Sequence, residues 1–216
     1  MKIIGVSGSP VKESNTDRAL QIVLDATGVR TEFIKLSELS IEPCTACLGC
    51  RKTNRCVLED DGVLLADKVY KANALIVAGF TPYSTLDSRT KIFLERLYPL
   101  HHCHALMQGK PGAAIITSSI PQGIPDMPDA YELGLSGIKN YMLAEGMNFV
   151  GSVSVPGNLP CVACGEDNQC GVSEIKKLYG KDATPASIGI NRVEENSEVV
   201  AALKQLGCDV YEACFR

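Results

Sequence analysis

Five short apolar runs, each followed by small or hydroxyl residues and each separated from the next by a helical pattern, leave this chain very few architectures. Residues 2–7 stop at Gly8-Ser9-Pro10, and residues 74–79 and 113–117 are almost wholly apolar. Such runs suit strands buried on both faces of a parallel sheet. Residues 31–36 alternate like a half-buried strand, and residues 149–155 supply a fifth. Between them, Ser14 or Asn15 stands at the N-cap of a helix over 17–24 that Gly28 closes. Further helices are predicted over 61–70, 86–97 and 130–145, with a closing helix over 197–206. Strands alternating with helices imply βαβ units, and the right-handed crossover rule makes the sheet parallel. The expectation is one α/β domain over residues 1–216, a doubly wound five-stranded parallel sheet. Its ligand site should lie on the loops after strands one, three and four.

Two segments break the alternation. Residues 40–60, after strand two, lack periodicity and carry Cys44, Cys47, Cys50 and Cys56 in the pattern C-x2-C-x2-C-x5-C. Residues 160–170 carry Cys161, Cys164 and Cys170 as C-x2-C-x5-C, and Asn54 and Asn168 each precede the last cysteine of their group by two. No signal-peptide core and no apolar run of roughly 20 residues is present, so a cytoplasmic protein without a membrane partner is expected. The net charge of −4 argues against a nucleic-acid partner. A reducing compartment disfavours disulfides, so seven of the ten cysteines falling into two groups point to metal or redox chemistry. Cys103 and Cys208 read as buried small hydrophobes. Two-residue gaps let neighbouring thiolates face one centre. A [4Fe–4S] cluster, a four-thiolate zinc and unmetallated thiols all fit the first group. The second group lacks a fourth ligand of its own. Cys103, Cys208, Cys214 or a partner residue would complete a second cluster, and otherwise these thiols stay bare or cap the first loop. His101, His102 and His104 flank Cys103 past a helix end, where cationic side chains are ordinary; a His-His-Cys-His metal site is the alternative.

The first βα loop, Ser7-Gly8-Ser9-Pro10-Val11-Lys12-Glu13-Ser14-Asn15-Thr16, is rich in hydroxyls and runs into a helix N-terminus, a setting that favours a phosphate. It matches neither GxxxxGK[ST] nor GxGxxG. Gly-Ser-Pro followed by Ser-Asn-Thr resembles the FMN-phosphate loop of the NAD(P)H-dependent FMN reductase group of flavodoxin-like proteins. The resemblance implies that Ser7, Ser9, Ser14, Asn15 and Thr16 hold the FMN phosphate. Thr81-Pro82-Tyr83-Ser84-Thr85 resembles the family's second flavin loop, although the family usually has one residue between Pro and Tyr. Lys91 to Arg96 resembles its Lys-x-Phe-(apolar)-Asp-Arg. Thr117 and Ser118 open a serine-rich turn where relatives place a glycine-rich one around the ring.

With the cysteine motif added, the closest resemblance is to the iron–sulfur flavoproteins of the same group, over roughly the first 100 residues. By that resemblance Cys44, Cys47, Cys50 and Cys56 ligate a [4Fe–4S] cluster that exchanges electrons with FMN. The implied protein is an oxidoreductase passing electrons from ferredoxin or NAD(P)H to a small-molecule acceptor (a quinone, dioxygen or peroxide) or another protein, and assembling as a homodimer or homotetramer. The rival reading is an NAD(P)H-dependent flavin, quinone or nitroaromatic reductase without a cluster. A colourless thiol or zinc module on the same scaffold is the third.

Overall fold

Parallel pairing orders the sheet β2-β1-β3-β4-β5, with β1 Lys2–Ser7, β2 Arg30–Lys35, β3 Ala74–Phe80, β4 Pro111–Ser118 and β5 Asn148–Pro156. The computed structural model describes residues 1–165 and 170–216, so Asn168 lies outside the described residues. Successive strand residues face opposite sides, and each side has its own cover. Ile3, Ile76 and Ile115 meet Leu20 and Val23 of α1 (Asn15–Ala26) and Leu203 and Leu206 of the closing helix. Ile4, Val77 and Ile116 meet the other face, built by α2 (Asp61–Lys71), α3 (Ser88–Arg96) and α4 (Ala130–Ala144). Ser14 caps α1 in a reciprocal pair with Asp17, and Gly28 follows the helix in the left-handed region (φ 65°).

Three elements differ from the sequence expectation. Short helices that the sequence reading did not assign form at α5 (Cys161–Cys164), α6 (Glu174–Tyr179) and α7 (Pro185–Ile188). They are too short to show a helical period. The closing helix, α8 (Ser197–Ala213), runs past 206 through Gly207. Gly207 lies where a Cβ would stand 2.5 Å from the Val23 carbonyl oxygen, so the glycine permits close α1–α8 contact rather than ending the helix. Cys208, expected among the buried hydrophobes, is exposed, as is Cys103.

The loop 40–60 has a fastened neck. Ser40 N donates to Asp61 Oδ2 (2.7 Å), Asp61 N donates to Ser40 O (3.1 Å), and Glu42 N donates to Asp60 Oδ2 (2.9 Å). Across it lies Arg96, 2% exposed, whose Nη1 and Nη2 reach the two Asp60 oxygens at 2.6 and 2.7 Å while Nη1 also donates to Glu42 O at 2.7 Å. Asp60 also caps α2 through Gly62 N (2.9 Å), and a Cβ on Gly62 would press within 3.0 Å of the guanidinium. The far end is held by Asn54, whose amide donates to Pro99 O (2.8 Å) and His102 O (2.6 Å).

A buried charge left without its partner costs about 3–5 kcal/mol, whereas an apolar replacement of both is often neutral. Arg96→Met should therefore lower stability by about that amount in denaturant titration, and Arg96→Met/Asp60→Leu should recover part of it, less the lost cap on α2. The Arg96 guanidinium holds the Asp60 carboxyl below its usual range. A depressed folded-state pKa gives stability that is present above the unfolded carboxylate pKa, about 4, and is lost as pH falls through the folded value. The wild type should thus lose stability in acid faster than the double variant. Gly207→Ala, which overpacks the α1–α8 contact, should cost about 1–3 kcal/mol in the same assay.

Candidate functional site

The loops after β1, β3 and β4 share one edge of the sheet because parallel strands end together. Gly8 presses against the start of α3, where a Cβ would meet Thr90 Oγ1 at 2.0 Å, and its N–H donates to Ala78 O (2.9 Å). Asp87, buried at the N-cap of α3, accepts from Thr90 N, Thr90 Oγ1 and Phe80 N, and burial pushes its carboxyl upward. Asp87 and Gly8 thereby lock the first and second flavin-type loops together.

Several predicted phosphate residues are committed to the protein itself. Ser7 Oγ donates to Asp17 Oδ1 (2.6 Å), and Thr16 Oγ1 donates to Thr117 Oγ1 (3.0 Å). The Asn15 amide donates to Pro156 O and Asn191 O, both at 3.0 Å, and its carbonyl accepts from Val193 N. Ser9 Oγ accepts from Val11 N (3.3 Å) and Ser14 caps α1, so these two hydroxyls shape the mouth of the loop. Asp17 also binds Lys35, which in turn donates to Val11 O (2.9 Å). This neutralised pair beneath the loop escaped the sequence reading, because its members are separated by a helix and a strand.

At the second loop Thr81 and Ser84 are buried and Pro82 is exposed, while Tyr83 projects fully into solvent. Tyr83 (φ 50°) and Ser84 (φ 62°) are consecutive left-handed residues. A bulky side chain in that region is strained, and such strain gathers at functional sites. Thr117 and Ser118 are buried, and Ser118 Oγ pins the following turn through Ile120 N (3.1 Å).

The four cysteines of the first group line one small pocket at the opposite end of α3, together with Arg96, Tyr98 and Pro99. Two non-glycine residues between them, Ala46 (φ 54°) and Leu48 (φ 58°), are left-handed, turning the chain so that its thiols share one wall. Gly49 lets Val57 pack closely over the loop, since a Cβ there would stand 2.8 Å from the Val57 side chain. The Gly49 N–H, and then the Thr45 side chain, pull the Cys47 thiol below its usual range. Burial, and then its three cysteine neighbours, push Cys50 up. Among the described residues no three His, Cys, Asp or Glu side chains converge tightly enough for a single metal ion. Cys161 is half-buried and Cys164 exposed on α5, and Cys170 is half-buried. Two of the histidines pair with protein groups: His104 Nδ1 meets Asn54 Oδ1 (2.8 Å), and His101 Nδ1 meets the buried Glu145 (3.4 Å).

No helix among the described residues is long and apolar enough to cross a membrane. Residues 1–126 match the NADPH-dependent FMN reductase family. The chain is 29% identical over 154 residues to an iron-sulfur flavoprotein of Methanocaldococcus jannaschii, covering 70% of this chain and 76% of that one. It is 28% identical over 170 residues to an iron-sulfur flavoprotein of Methanosarcina thermophila, covering 77% and 86%. Among solved structures it superposes on a flavodoxin from the domain Archaea with a TM-score of 0.55 at 16% identity, over the full length of both. With the strained Tyr83 loop and the hydroxyl-rich loop meeting at one sheet edge, this chain belongs to the NADPH-dependent FMN reductase family of flavin oxidoreductases, on a flavodoxin-like fold.

Proposed function

We propose that the chain is an iron–sulfur flavoprotein that binds FMN on the loops after β1, β3 and β4 and a [4Fe–4S] cluster on Cys44, Cys47, Cys50 and Cys56. The observation that carries this is the gathering of all four thiols of the motif on one pocket, in a flavin-family chain whose named relatives are iron-sulfur flavoproteins. Thiolate-bound iron supplies one-electron steps and flavin supplies one or two, so the two together convert between the two kinds of carrier.

The chain's own groups have distinct parts in this reading. Ser9 and Ser14, with the backbone N–H groups at the start of α1, offer the phosphate its donors. Ser7, Asn15 and Thr16 hold that loop rigid from behind. Tyr83 offers an aromatic face to the ring; Thr81, Pro82 and Ser84 fix its backbone, and Thr117 and Ser118 border the ring's far edge. The lowered Cys47 thiol is the readiest to ligate as thiolate. Arg96 brings a buried positive charge to the pocket and lies close enough to Cys56 to be stabilised by it, after Asp60. The two sites lie at opposite ends of α3, about 14 Å of helix. Donors are a reduced ferredoxin or NAD(P)H, and the working assembly is a homodimer or homotetramer. Cys161, Cys164 and Cys170 are the candidate ligands of a second cluster. The exposure of Cys44 and Cys47 suits one rival, an NAD(P)H-dependent flavin, quinone or nitroaromatic reductase with bare cysteines.

Cys56→Ser should lower iron and acid-labile sulfide per chain severalfold while leaving FMN content at the wild-type level. Equal iron in both proteins contradicts the ligand assignment. Tyr83→Ala should weaken FMN binding about fivefold in a fluorescence titration, the size of one lost aromatic contact.

A further inference from the structure

At the carboxyl ends of β4 and β5 the chain lines a half-open cavity of about 560 Å³, within the usual range for small-molecule sites. Sheets of this type receive ligands along that edge. One wall is the loop after β4, with Ser118, Ser119 and Gln122, which also borders the flavin loops. The opposite wall is Gly157 and Asn158 after β5, and the cover comes from α5, α6 and α7 through Val162, Tyr179 and Ile188. Most of this enclosure lies beyond residue 126, where the family match ends.

The cavity is built rather than left over. Gly157 N donates to Ser118 O at 2.7 Å, and a Cβ there would crowd the Ser118 backbone at 3.1 Å, so the two strand ends sit at a close spacing that glycine eases. Asn158 and Asn191 bind reciprocally, Nδ2 to O at 2.9 Å and N to Oδ1 at 2.7 Å, which fastens the cover to β5. Asn15 donates to the same Asn191 carbonyl, tying the cover to the start of α1.

Among the described residues, its lining holds no Asp, Glu, Lys, Arg or His. Tyr131, the titratable group beside Ser118, donates to Ser118 O (3.2 Å), and burial pushes its hydroxyl up to about 12, so it stays neutral. The walls are hydroxyls, amides and the apolar surfaces of Pro121, Pro156 and Leu159. A charged ligand entering here would lose its hydration without a counter-charge. A nicotinamide dinucleotide carries a diphosphate, which calls for a cation or the N-terminus of a full helix. The bordering helices α5 and α7 are four residues each.

We propose that this cavity seats an uncharged, largely apolar small molecule beside the third flavin loop, as the flavin's small-molecule partner, and that it does not seat a phosphate-bearing dinucleotide. The flavin reading supplies only the neighbour; the selection for an uncharged ligand follows from the walls.

Acetophenone and benzoate, nearly alike in shape and differing in charge, test this by calorimetric titration of the FMN-loaded protein. Acetophenone should bind at least about tenfold more tightly. Val162→Trp, which fills the cavity, should weaken acetophenone about tenfold with FMN content and melting temperature unchanged. Gln122→Arg, on the exposed loop, should reverse the preference toward benzoate. Equal binding of both probes overturns the proposal, as does acetophenone binding that neither variant alters. Loss of FMN from folded Val162→Trp also overturns it, by making the cavity part of the flavin's own seat. Should the wild type hold no FMN, the flavin reading fails, and the same probe pair on the flavin-free chain still decides the preference.

Discussion

Parallel strand pairing is the constraint from which the rest of this molecule follows. Each parallel neighbour demands a crossover, each crossover here is helical, and all strand ends of one polarity share one edge. That edge collects the hydroxyl-rich loop after β1, the strained Tyr83 loop after β3, the serine turn after β4 and the walls of the neutral cavity. One helix, α3, then relates the two candidate redox sites. Its N-terminus, through Asp87 and Thr90, holds the flavin-type loops together, and its last residue, Arg96, closes the neck of the cysteine loop.

The cysteine loop shows how a long irregular segment is kept in shape without regular hydrogen bonding. Its neck depends on a guanidinium that gathers a carboxylate and a backbone carbonyl in one place, and its tip on the Asn54 amide. Between those fixed points, left-handed Ala46 and Leu48 carry strain that the surrounding contacts overcome. A bidentate fork is the one side-chain geometry suited to bridging both ends, which a lysine does not reproduce.

Much of this was legible in the sequence, for reasons that differ by element. The runs in β1, β3 and β4 are apolar on both faces because helices cover both, and β2 alternates because it is an edge strand. The cysteine spacing announces a shared centre, and the structure does place those four thiols on one pocket. Pairings remote in sequence were not legible. Arg96 was visible as part of a motif, but its partner Asp60 lies on another helix, and the Lys35–Asp17 pair beneath the phosphate-type loop is hidden in the same way. Ser7, Asn15 and Thr16 were readable as loop residues, yet their bonds to Asp17, Asn191 and Thr117 arise only when the sheet edge closes. Gly207 reads as a helix breaker unless its close approach to α1 is known.

The central claim is that one chain carries both a flavin and an iron–sulfur cluster. The most direct measurement is the absorption spectrum of anaerobically purified protein, with FMN, iron and acid-labile sulfide assayed on the same sample. The account predicts flavin bands over a broad absorbance that reduction bleaches, with about one FMN and about four irons and sulfides per chain. Flavin bands without iron or sulfide, persisting after anaerobic reconstitution, would contradict it and leave a flavin reductase with bare thiols.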